Sequence, residues 1–422
     1  MKKTKLALAL TSAVFASSAM ATNGTNMIGI GAQSMAMGGT GVAAYFGAEN
    51  LLANPALIGK SKGTELIFGG TIFAPDVSSE HNLGEPANPG EPVGKDSSDA
   101  NLFVVPSAAF NSRINENMVY GIGMFGTSGM GVDYQDNGQM FRAQSALQIL
   151  RFAPALAFHN ETAGIGFSPI IQYGALDIHY DGSETQYGTF GLEDAGHGMA
   201  QGLGFGYSFG GYYDAAPGLT LAASYTSSIE MEYKGQLSSA SQPFADFGMI
   251  PEPFDDKLEQ PAEMKVGASF DMGNMTFTAD ARRIMWGEAK GYKDFGWQDQ
   301  DVFSIGAKYT TKDYWLAAGY NTGDNPIKEQ DGTTTEGATI NFFNNTFFPA
   351  TTESHITLGG GMAISKKATI EGAFVYAPEV KTRVGVSGIG DDYPIAGAAS
   401  GDYSETKHSQ TAATMMIRYN FD

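Results

Sequence analysis

The sequence predicts an all-β fold, a transmembrane antiparallel β-barrel of about 14 strands with an N-terminal hatch (plug) segment inside the lumen. Three observations predict it. From residue 64 onward, strand-like segments alternate between apolar and polar residues. The connections between these segments are short and long in turn. After the N-terminal region, no apolar run reaches the ~18 to 20 residues of a spanning helix, so a membrane protein of this sequence must be a closed barrel.

Residues 1–21 predict a cleaved export signal. Three lysines precede an apolar run over residues 6–16, and Ala19–Ala21 fits a small-residue cleavage site. The mature chain would begin at Thr22, and the loss of three lysines takes its formal charge from −20 to −23. This acidity argues against nucleic acid as a partner. The absence of cysteine suits a chain that crosses an oxidising periplasm.

Residues 22–63 predict the hatch. The stretch is rich in glycine, alanine and methionine, is too apolar for a disordered tail, and lacks the alternation of a strand. A barrel of this size lies between small barrels filled by side chains and open porins of about 16 to 18 strands, so its lumen needs a filling. We therefore expect residues 22–63 to fold back inside a barrel formed by residues 64–422.

Fourteen segments carry the strand pattern, over residues 64–77, 100–112, 117–134, 142–159, 162–180, 198–214, 218–235, 258–271, 274–286, 300–311, 313–322, 352–364, 368–383 and 406–421. Every second connection is a tight turn, as at Asn160-Glu161 and Met272-Gly273. The connections between these turns are long and polar, as over residues 236–257 and 323–351. Short turns on one rim and long loops on the other are typical of an outer-membrane barrel.

The alternation also assigns the two faces of each strand. In the ninth segment, apolar Met275, Phe277 and Ala279 alternate with Thr276, Thr278 and Asp280. This phase directs polar and charged side chains to the lumen and apolar ones to lipid. A β-sandwich with one wet face is the alternative, but it gives no reason for the regular change of loop length.

Three short motifs follow one another along the chain: Asn54-Pro55-Ala56, the run from Trp315 to Ile327, and the run from Phe348 to Gly359. In this order and spacing they resemble the FadL/TodX (OmpP1) family of outer-membrane transporters, which import long-chain fatty acids or hydrocarbons. The resemblance implies a fourteen-stranded barrel, an N-terminal hatch and sideways release of a hydrophobic cargo into the bilayer. We expect a monomer in the bacterial outer membrane, in contact with its lipid and lipopolysaccharide.

The third strand predicts the place of sideways release. Glycines punctuate it, and glycine within a strand often marks a bulge or a close backbone approach. We expect the wall to kink at Gly126-Thr127-Ser128-Gly129, with the Asn54-Pro55-Ala56 turn packed against the kink as a gate. Asn54 would supply hydrogen bonds, while Pro55 fixes the turn and lacks an N–H. An ordinary Asn-Pro turn without a gating role is the alternative.

Aromatic loops and lumen cations are the candidate cargo-binding residues. Two long loops are rich in phenylalanine, and the residues singled out are Phe342, Phe343, Phe347, Phe348, Phe244 and Phe247. They form either an outer hydrophobic groove or a cluster that packs only on itself. Strand phase places Arg151, Arg282 and Arg418 in the lumen, where they would pair either a fatty-acid carboxylate or internal acids such as Asp280 and Glu371.

Other motifs do not predict an enzyme, a cofactor or a metal site. Gly206-Tyr207-Ser208-Phe209-Gly210 matches a hydrolase motif and residues 121–126 match a dinucleotide motif, but neither is followed by the helix that such motifs require. The six histidines lack ligand spacing, and Asp299, Asp301 and Asp391-Asp392 are interpreted as solvated loop charges. An outer-membrane enzyme resembling a phospholipase and a structural or adhesive barrel remain the alternatives to a transporter.

Overall fold

The computed structural model describes residues 22–84, 91–185, 194–196, 198–391 and 401–421. The predicted signal peptide, residues 1–21, lies outside the described residues, as does Asp392. Among the residues described, no helix is both long enough and apolar enough to cross a membrane.

Among the described residues, eighteen strands form one continuous sheet, each antiparallel to its neighbours, and the fourteen long ones form the wall. Four strands have only two to four residues, and the other fourteen are numbered here in chain order. They are β1 Glu65–His81, β2 Phe103–Asn115, β3 Met118–Asp133, β4 Gln144–His159, β5 Ala163–Tyr180, β6 Ala200–Ala216, β7 Leu219–Thr226, β8 Glu263–Met272, β9 Met275–Ile284, β10 Gln300–Thr310, β11 Tyr314–Gly323, β12 Ser354–Ala363, β13 Ala368–Gly385 and β14 Tyr403–Asn420. The pairing of β14 with β1 closes the ring.

The two faces of the wall follow the predicted alternation. Large apolar side chains point outward and are exposed, for example Phe205 at 72% and Ile305 at 58%. The inward neighbours are buried and polar, for example Ser208 and Ser304. The prediction of a closed antiparallel barrel of fourteen strands is therefore confirmed.

Strand ends differ from the prediction where the chain turns inward. The seventh strand was expected to reach residue 235, but β7 ends at Thr226. Beyond it, Ile229, Met231 and Tyr233 are almost fully buried, and only isolated bridges such as Ile229–Gln260 tie the segment to the chain that returns to β8. The alternation continues because one face of this segment packs inward, which explains why the sequence predicted a longer strand.

Two connections expected to be loops contain helices. They are α3, Leu237–Asp246, and α4, Thr335–Phe347. Thr334 caps α4, since its side-chain oxygen accepts a hydrogen bond from the Gly337 N–H at 3.1 Å. A third helix in this region is α5, Gly388–Asp391.

The N-terminal segment lies against the inner face of the wall. It contains two short helices, α1 Gly31–Ala36 and α2 Asn50–Ala53, and a 3₁₀ helix, Pro55–Lys60. The inward side chain of Thr357 accepts a hydrogen bond from the Gly38 N–H at 2.9 Å. Nearly every residue between Thr22 and Ser61 is buried or half-buried, so this segment forms part of the core.

Candidate functional site

β3 separates from its neighbour β2 partway along its length. The pairing of the two strands ends at Ser107 and Phe125. The pairing of β3 with β4 shifts register between Gly126 and Ser128, so Thr127 forms a bulge. The predicted kink residues, Gly126, Thr127, Ser128 and Gly129, lie at this point. We call the separation of β3 from β2 beyond Phe125 the wall break.

The first residues of the N-terminal segment cover the wall break from inside. Thr22–Asn23 pairs with Asn26–Met27 in a small hairpin, which we call the strap. Gly129 N–H donates to the Thr25 carbonyl at 3.0 Å, and Asn26 forms a β-bridge with Ser128. The Thr25 and Ser128 hydroxyl oxygens are 2.8 Å apart. The strap thus supplies hydrogen bonds to β3 in the region where β3 has left β2.

A small cavity lies farther along the wall break. It has a volume of about 130 Å³, and its lining includes Phe103 at the start of β2 and Met130 and Val132 near the end of β3. The chain just before β2 bridges it, because Asp99 N–H donates to the Asp133 carbonyl at 2.9 Å. The two strands are therefore joined beyond the break without being paired as neighbours.

The Asn54-Pro55-Ala56 turn contacts a different part of the wall from the one expected. The Asn54 side-chain amide donates to the Gly211 carbonyl of β6 at 3.2 Å, and its oxygen accepts from Ala56 N–H at 3.0 Å. Gly166 and Gly210 allow this approach, since a Cβ on either would lie within 2.4 Å of the turn. The turn therefore packs on β5 and β6, and the structure does not bring it to the kink.

The expectation failed because the strap already occupies the inner side of the kink, through Thr25 and Asn26. The Asn54 side chain instead caps the 3₁₀ helix that follows it, and its amide donates a hydrogen bond to the Val42 carbonyl at 2.9 Å. The sequence gives no signal for which wall strands this turn contacts, since Asn54 and Gly211 are 157 residues apart.

A cavity of about 80 Å³ lies between the strap, α2 and the inner face of β8 and β9. Thr127 of the kink and two of the three lumen arginines, Arg151 and Arg282, line it. Arg282 is neutralised, because its guanidinium contacts the Glu263 carboxylate at 2.7 and 3.0 Å and also donates to the Met27 carbonyl. The internal partner of Arg282 is thus Glu263 rather than Asp280, which accepts from Gly41 and Val42 N–H.

Arg151 has a different environment in the same cavity. Its side chain is 5% exposed and donates to the Gln172 side-chain oxygen at 2.9 Å. Within the described parts of the chain it forms no ion pair with a carboxylate. Two polar atoms near Arg151, Thr127 Oγ1 and Gln172 Nε2, have no hydrogen-bond partner among the described residues. This corner of the cavity has the donors that an anionic group needs.

The third lumen arginine anchors the N-terminal segment. Arg418 of β14 contacts Glu371 of β13 at 3.0 Å, Glu65 of β1 at 2.7 Å and Glu49 at 2.9 Å. Glu371 is among the partners expected from the sequence, whereas Glu49 and Glu65 were not expected. A charged residue within the apolar stretch 22–63 was the available signal, because a buried carboxylate requires a cation.

The phenylalanines of the two long loops are packed rather than open. Phe342, Phe343, Phe347 and Phe348 are at most 7% exposed, Phe244 is 9% exposed and Phe247 is half-buried. Phe343 stacks on Phe295 with ring centres 5.1 Å apart, and Tyr180 lies between Phe244 and Phe347 at 5.9 and 5.8 Å. In this structure they form an outer aromatic cluster, as in the second of the two alternatives, and do not line an open groove.

The remaining sequence motifs lie in ordinary structural positions. Ser208 of the hydrolase-like motif lies within β6 beside Thr226. Asp299 and Asp301 pair with the exposed Arg283 at 3.1 and 3.3 Å. Among the described residues, no three histidine, aspartate or glutamate side chains are grouped as metal ligands.

A closed antiparallel barrel with exposed apolar side chains on its outer face has the architecture of an outer-membrane β-barrel protein. The whole described chain fits that class. The protein belongs to the family of outer membrane protein transport proteins (OMPP1/FadL/TodX), whose family model matches residues 7–421. Its family is one of outer membrane transport proteins, as the sequence predicted.

Solved structures have the same fold. The toluene transporter TodX of Pseudomonas putida matches with a TM-score of 0.66 and 18% identity, over 93% of this chain and 99% of that one. A FadL homologue of Pseudomonas aeruginosa matches with a TM-score of 0.69 and 13% identity, over 95% and 100%. The toluene transporter TbuX of Ralstonia pickettii matches with a TM-score of 0.60 and 18% identity, over 93% and 99%.

A curated relative covers only a part of the chain. An uncharacterized protein from the 5′ region of a phosphoenolpyruvate carboxykinase gene of Chlorobium limicola is 45% identical over 78 residues. The match spans 18% of this chain and 38% of that protein.

Proposed function

We propose that this protein takes up long-chain fatty acids and releases them sideways into the outer membrane through the wall break. The observation that carries the proposal is that the pairing of β3 with β2 ends at Phe125 and that the strap bonds to β3 beyond this point. In this proposal residues 22–63 act as the hatch and residues 64–422 as the barrel. Neutral hydrocarbons are the second candidate cargo, favoured by the likeness to TodX and TbuX.

Sideways release follows from the chemistry of the cargo. An alkyl chain gains roughly 0.8 kcal/mol for each CH₂ that leaves water. Release into the periplasm would lose this gain, whereas release into the bilayer keeps it. The cargo therefore needs an exit at the height of the membrane rather than at the base of the barrel.

An exit in a barrel wall must not leave backbone groups unpaired in lipid, because each such group costs several kcal/mol. The strap meets this requirement in the closed state, since Thr25 and Asn26 take the bonds that β2 does not make to Ser128 and Gly129. Movement of a hairpin of six residues then opens the exit, and the rest of the wall stays paired.

Arg151 supports a carboxylated cargo over a neutral one. Its guanidinium has no carboxylate partner in the described chain, lies beside unpartnered donors and faces the cavity next to Thr127. A cavity of about 80 Å³ holds a head group but not a long alkyl chain. We propose that the carboxylate binds Arg151 while the alkyl chain extends toward the wall break.

The test uses a reversible lock on the strap. The sequence has no cysteine, so Thr25→Cys with Ser128→Cys gives a single pair of thiols. The parent hydroxyls are 2.8 Å apart, which brings the two sulfur atoms within reach of a disulfide. Uptake of radiolabelled oleate and of toluene is then measured in cells, with and without a reductant.

The oxidised double variant is expected to lose uptake and the reduced one to recover it. Each single cysteine variant is the control, and heat-modified mobility on a gel checks that the barrel is folded. If oxidation leaves uptake unchanged while the disulfide is complete, the cargo does not pass the strap and the proposal fails.

A further inference from the structure

The connection between β9 and β10 enters the barrel and reaches the strap. We call residues 285–299 the aromatic loop. Four of its rings are almost fully buried: Trp286, Tyr292, Phe295 and Trp297. The ring centres of Trp286, Tyr292 and Trp297 lie 4.6 to 5.0 Å apart, so these three residues form one packed unit.

The inner end of this unit contacts the strap in two places. The Trp286 ring lies so close to Gly24 that a Cβ on Gly24 would be 2.7 Å from it, and Gly24 has a φ of +62°. The Tyr292 hydroxyl is 3.4 Å from Thr25 Oγ1 and accepts from the Gln260 side-chain amide at 3.4 Å. Burial raises the pKa of Tyr292, so its hydroxyl keeps the proton.

The outer end of the unit contacts the outer aromatic cluster. The Trp297 indole N–H donates to the Asn344 side-chain oxygen of α4 at 3.1 Å, and the Asn344 amide donates to the Phe295 carbonyl at 2.7 Å. Phe295 stacks on Phe343 with an angle of 8° between the rings. Packed rings and two hydrogen bonds thus connect α4 rigidly to the aromatic loop.

We propose that the aromatic loop couples the outer aromatic cluster to the wall break through Tyr292 and Trp286. A hydrophobic molecule that enters between Phe343 and Phe295 displaces the loop, and this displacement withdraws Tyr292 from Thr25. Thr25 then loses a partner on the side opposite Ser128, and the strap is released. Cargo arriving at the outer end opens the exit in advance. This inference rests on the proposed lateral release.

Coupling requires that the contact differ between the closed and open states, and spatial continuity alone does not establish it. In the proposal that contact is the one at Thr25, whose hydroxyl lies within hydrogen-bonding distance of both Tyr292 of the loop and Ser128 of the wall. Removing the Tyr292 hydroxyl should therefore loosen the strap without any cargo present. It should also reduce the additional opening that cargo causes.

The experiment measures opening at the kink by thiol labelling. Thr127 is 6% exposed, so Thr127→Cys in the full mature chain, reconstituted in vesicles, is labelled by a small maleimide only when the strap moves. Labelling rates are compared with and without oleate in this parent variant, in Tyr292→Phe and in Tyr233→Phe. Tyr233 is the matched control, a buried tyrosine whose hydroxyl has no partner in the described chain.

Tyr292→Phe is expected to raise the rate without oleate roughly three- to tenfold, the effect of losing one buried hydrogen bond, and to shrink the response to oleate. Tyr233→Phe should match the parent. Equal rates in Tyr292→Phe and the parent would overturn the coupling, as would an equal rise in both tyrosine variants. The labelling rates without oleate test the coupling alone, because they do not depend on transport. The disulfide experiment tests lateral release, so failure of one proposal can be told apart from failure of the other.

Discussion

The two ends of the N-terminal segment are held to the wall by different chemistry. The part from Gly31 to Lys60 is fixed by charge: Glu49 binds Arg418, and Lys60 binds Asp214 at 2.6 Å. The strap, by contrast, forms no ion pair among the described residues: Thr25 bonds the Ser128 hydroxyl, Asn26 donates to the Glu263 carboxylate at 2.9 Å, and the Trp286 ring packs on Gly24. Ion pairs inside the barrel hold a segment more strongly than single hydrogen bonds, so in the proposed function the first part is a fixed anchor and the second a removable cover.

The distribution of unpaired polar atoms agrees with this difference. Both polar atoms of the Asn23 side chain lack a hydrogen-bond partner among the residues described, although Asn23 is fully buried. Such groups lower the stability of the closed state by the cost of their desolvation. In the anchored part Asn50 and Asn54 use both ends of their side-chain amides, and one buried side-chain atom among the described residues there, Glu49 Oε2, lacks a partner.

Arg418→Met is expected to have the largest effect, because it removes the cation that pairs with three buried carboxylates. Leaving buried charges uncompensated typically costs about 3 to 5 kcal/mol. We expect the anchored part to detach and the barrel to conduct ions steadily, as measured in planar bilayers. Arg283→Met, which removes an exposed pair, is the control and should leave conductance near the wild-type value. Closed channels in Arg418→Met would show that charge does not fix this part.

How far the sequence predicts this arrangement depends on the range of the interactions. The fourteen wall strands, the order of short and long connections and the inward phase of Arg282 follow from alternation between neighbouring residues, which is a local property. The prediction of a kink at residues 126–129 likewise followed from local glycines. The partner of Asn54 did not, because Gly166 and Gly211 are far away in sequence and glycines occur in most of the strands.

The outer aromatic cluster shows the same limit. Hydrophobic loop residues predicted either a groove or a packed cluster, and the difference depends on whether rings from other loops fill the space. Phe295 and Tyr180 fill it here. Nothing near Phe343 in the sequence indicates that a ring 48 residues earlier would stack on it.

Arg151→Gln is expected to have the second largest effect. It tests the cavity that lies between the strap and the anchored part. Met27 of the strap and Leu52 of the anchored part both line the cavity that Arg151 faces. Loss of the cation should lower oleate uptake by roughly tenfold, the effect of one charge-assisted hydrogen bond, and should leave toluene uptake unchanged.

Gln172→Met is the companion variant of Arg151→Gln, since it keeps the charge and removes only a neutral donor of the same proposed site. Oleate uptake by Gln172→Met should stay closer to the wild-type rate than oleate uptake by Arg151→Gln. An equal loss of oleate and toluene uptake in Arg151→Gln would indicate a structural role for Arg151 and favour a neutral cargo.

The smallest expected effect comes from making the same substitution, threonine to valine, in each of the two parts of the segment. Thr25→Val and Thr40→Val each replace a hydroxyl by a methyl group at a buried threonine, and each parent hydroxyl contacts a wall residue, Ser128 at 2.8 Å or Thr278 at 2.7 Å. Each loses about 1 kcal/mol of hydrogen bonding. Thr25→Val should raise the resting labelling of a cysteine at position 127 severalfold, because the strap has no ion pair among the described residues to hold it in place. Thr40→Val should not, because the charged contacts hold its part of the segment in place. A similar rise in both variants would mean that the segment moves as one body, and the separation of anchor from cover would then be wrong.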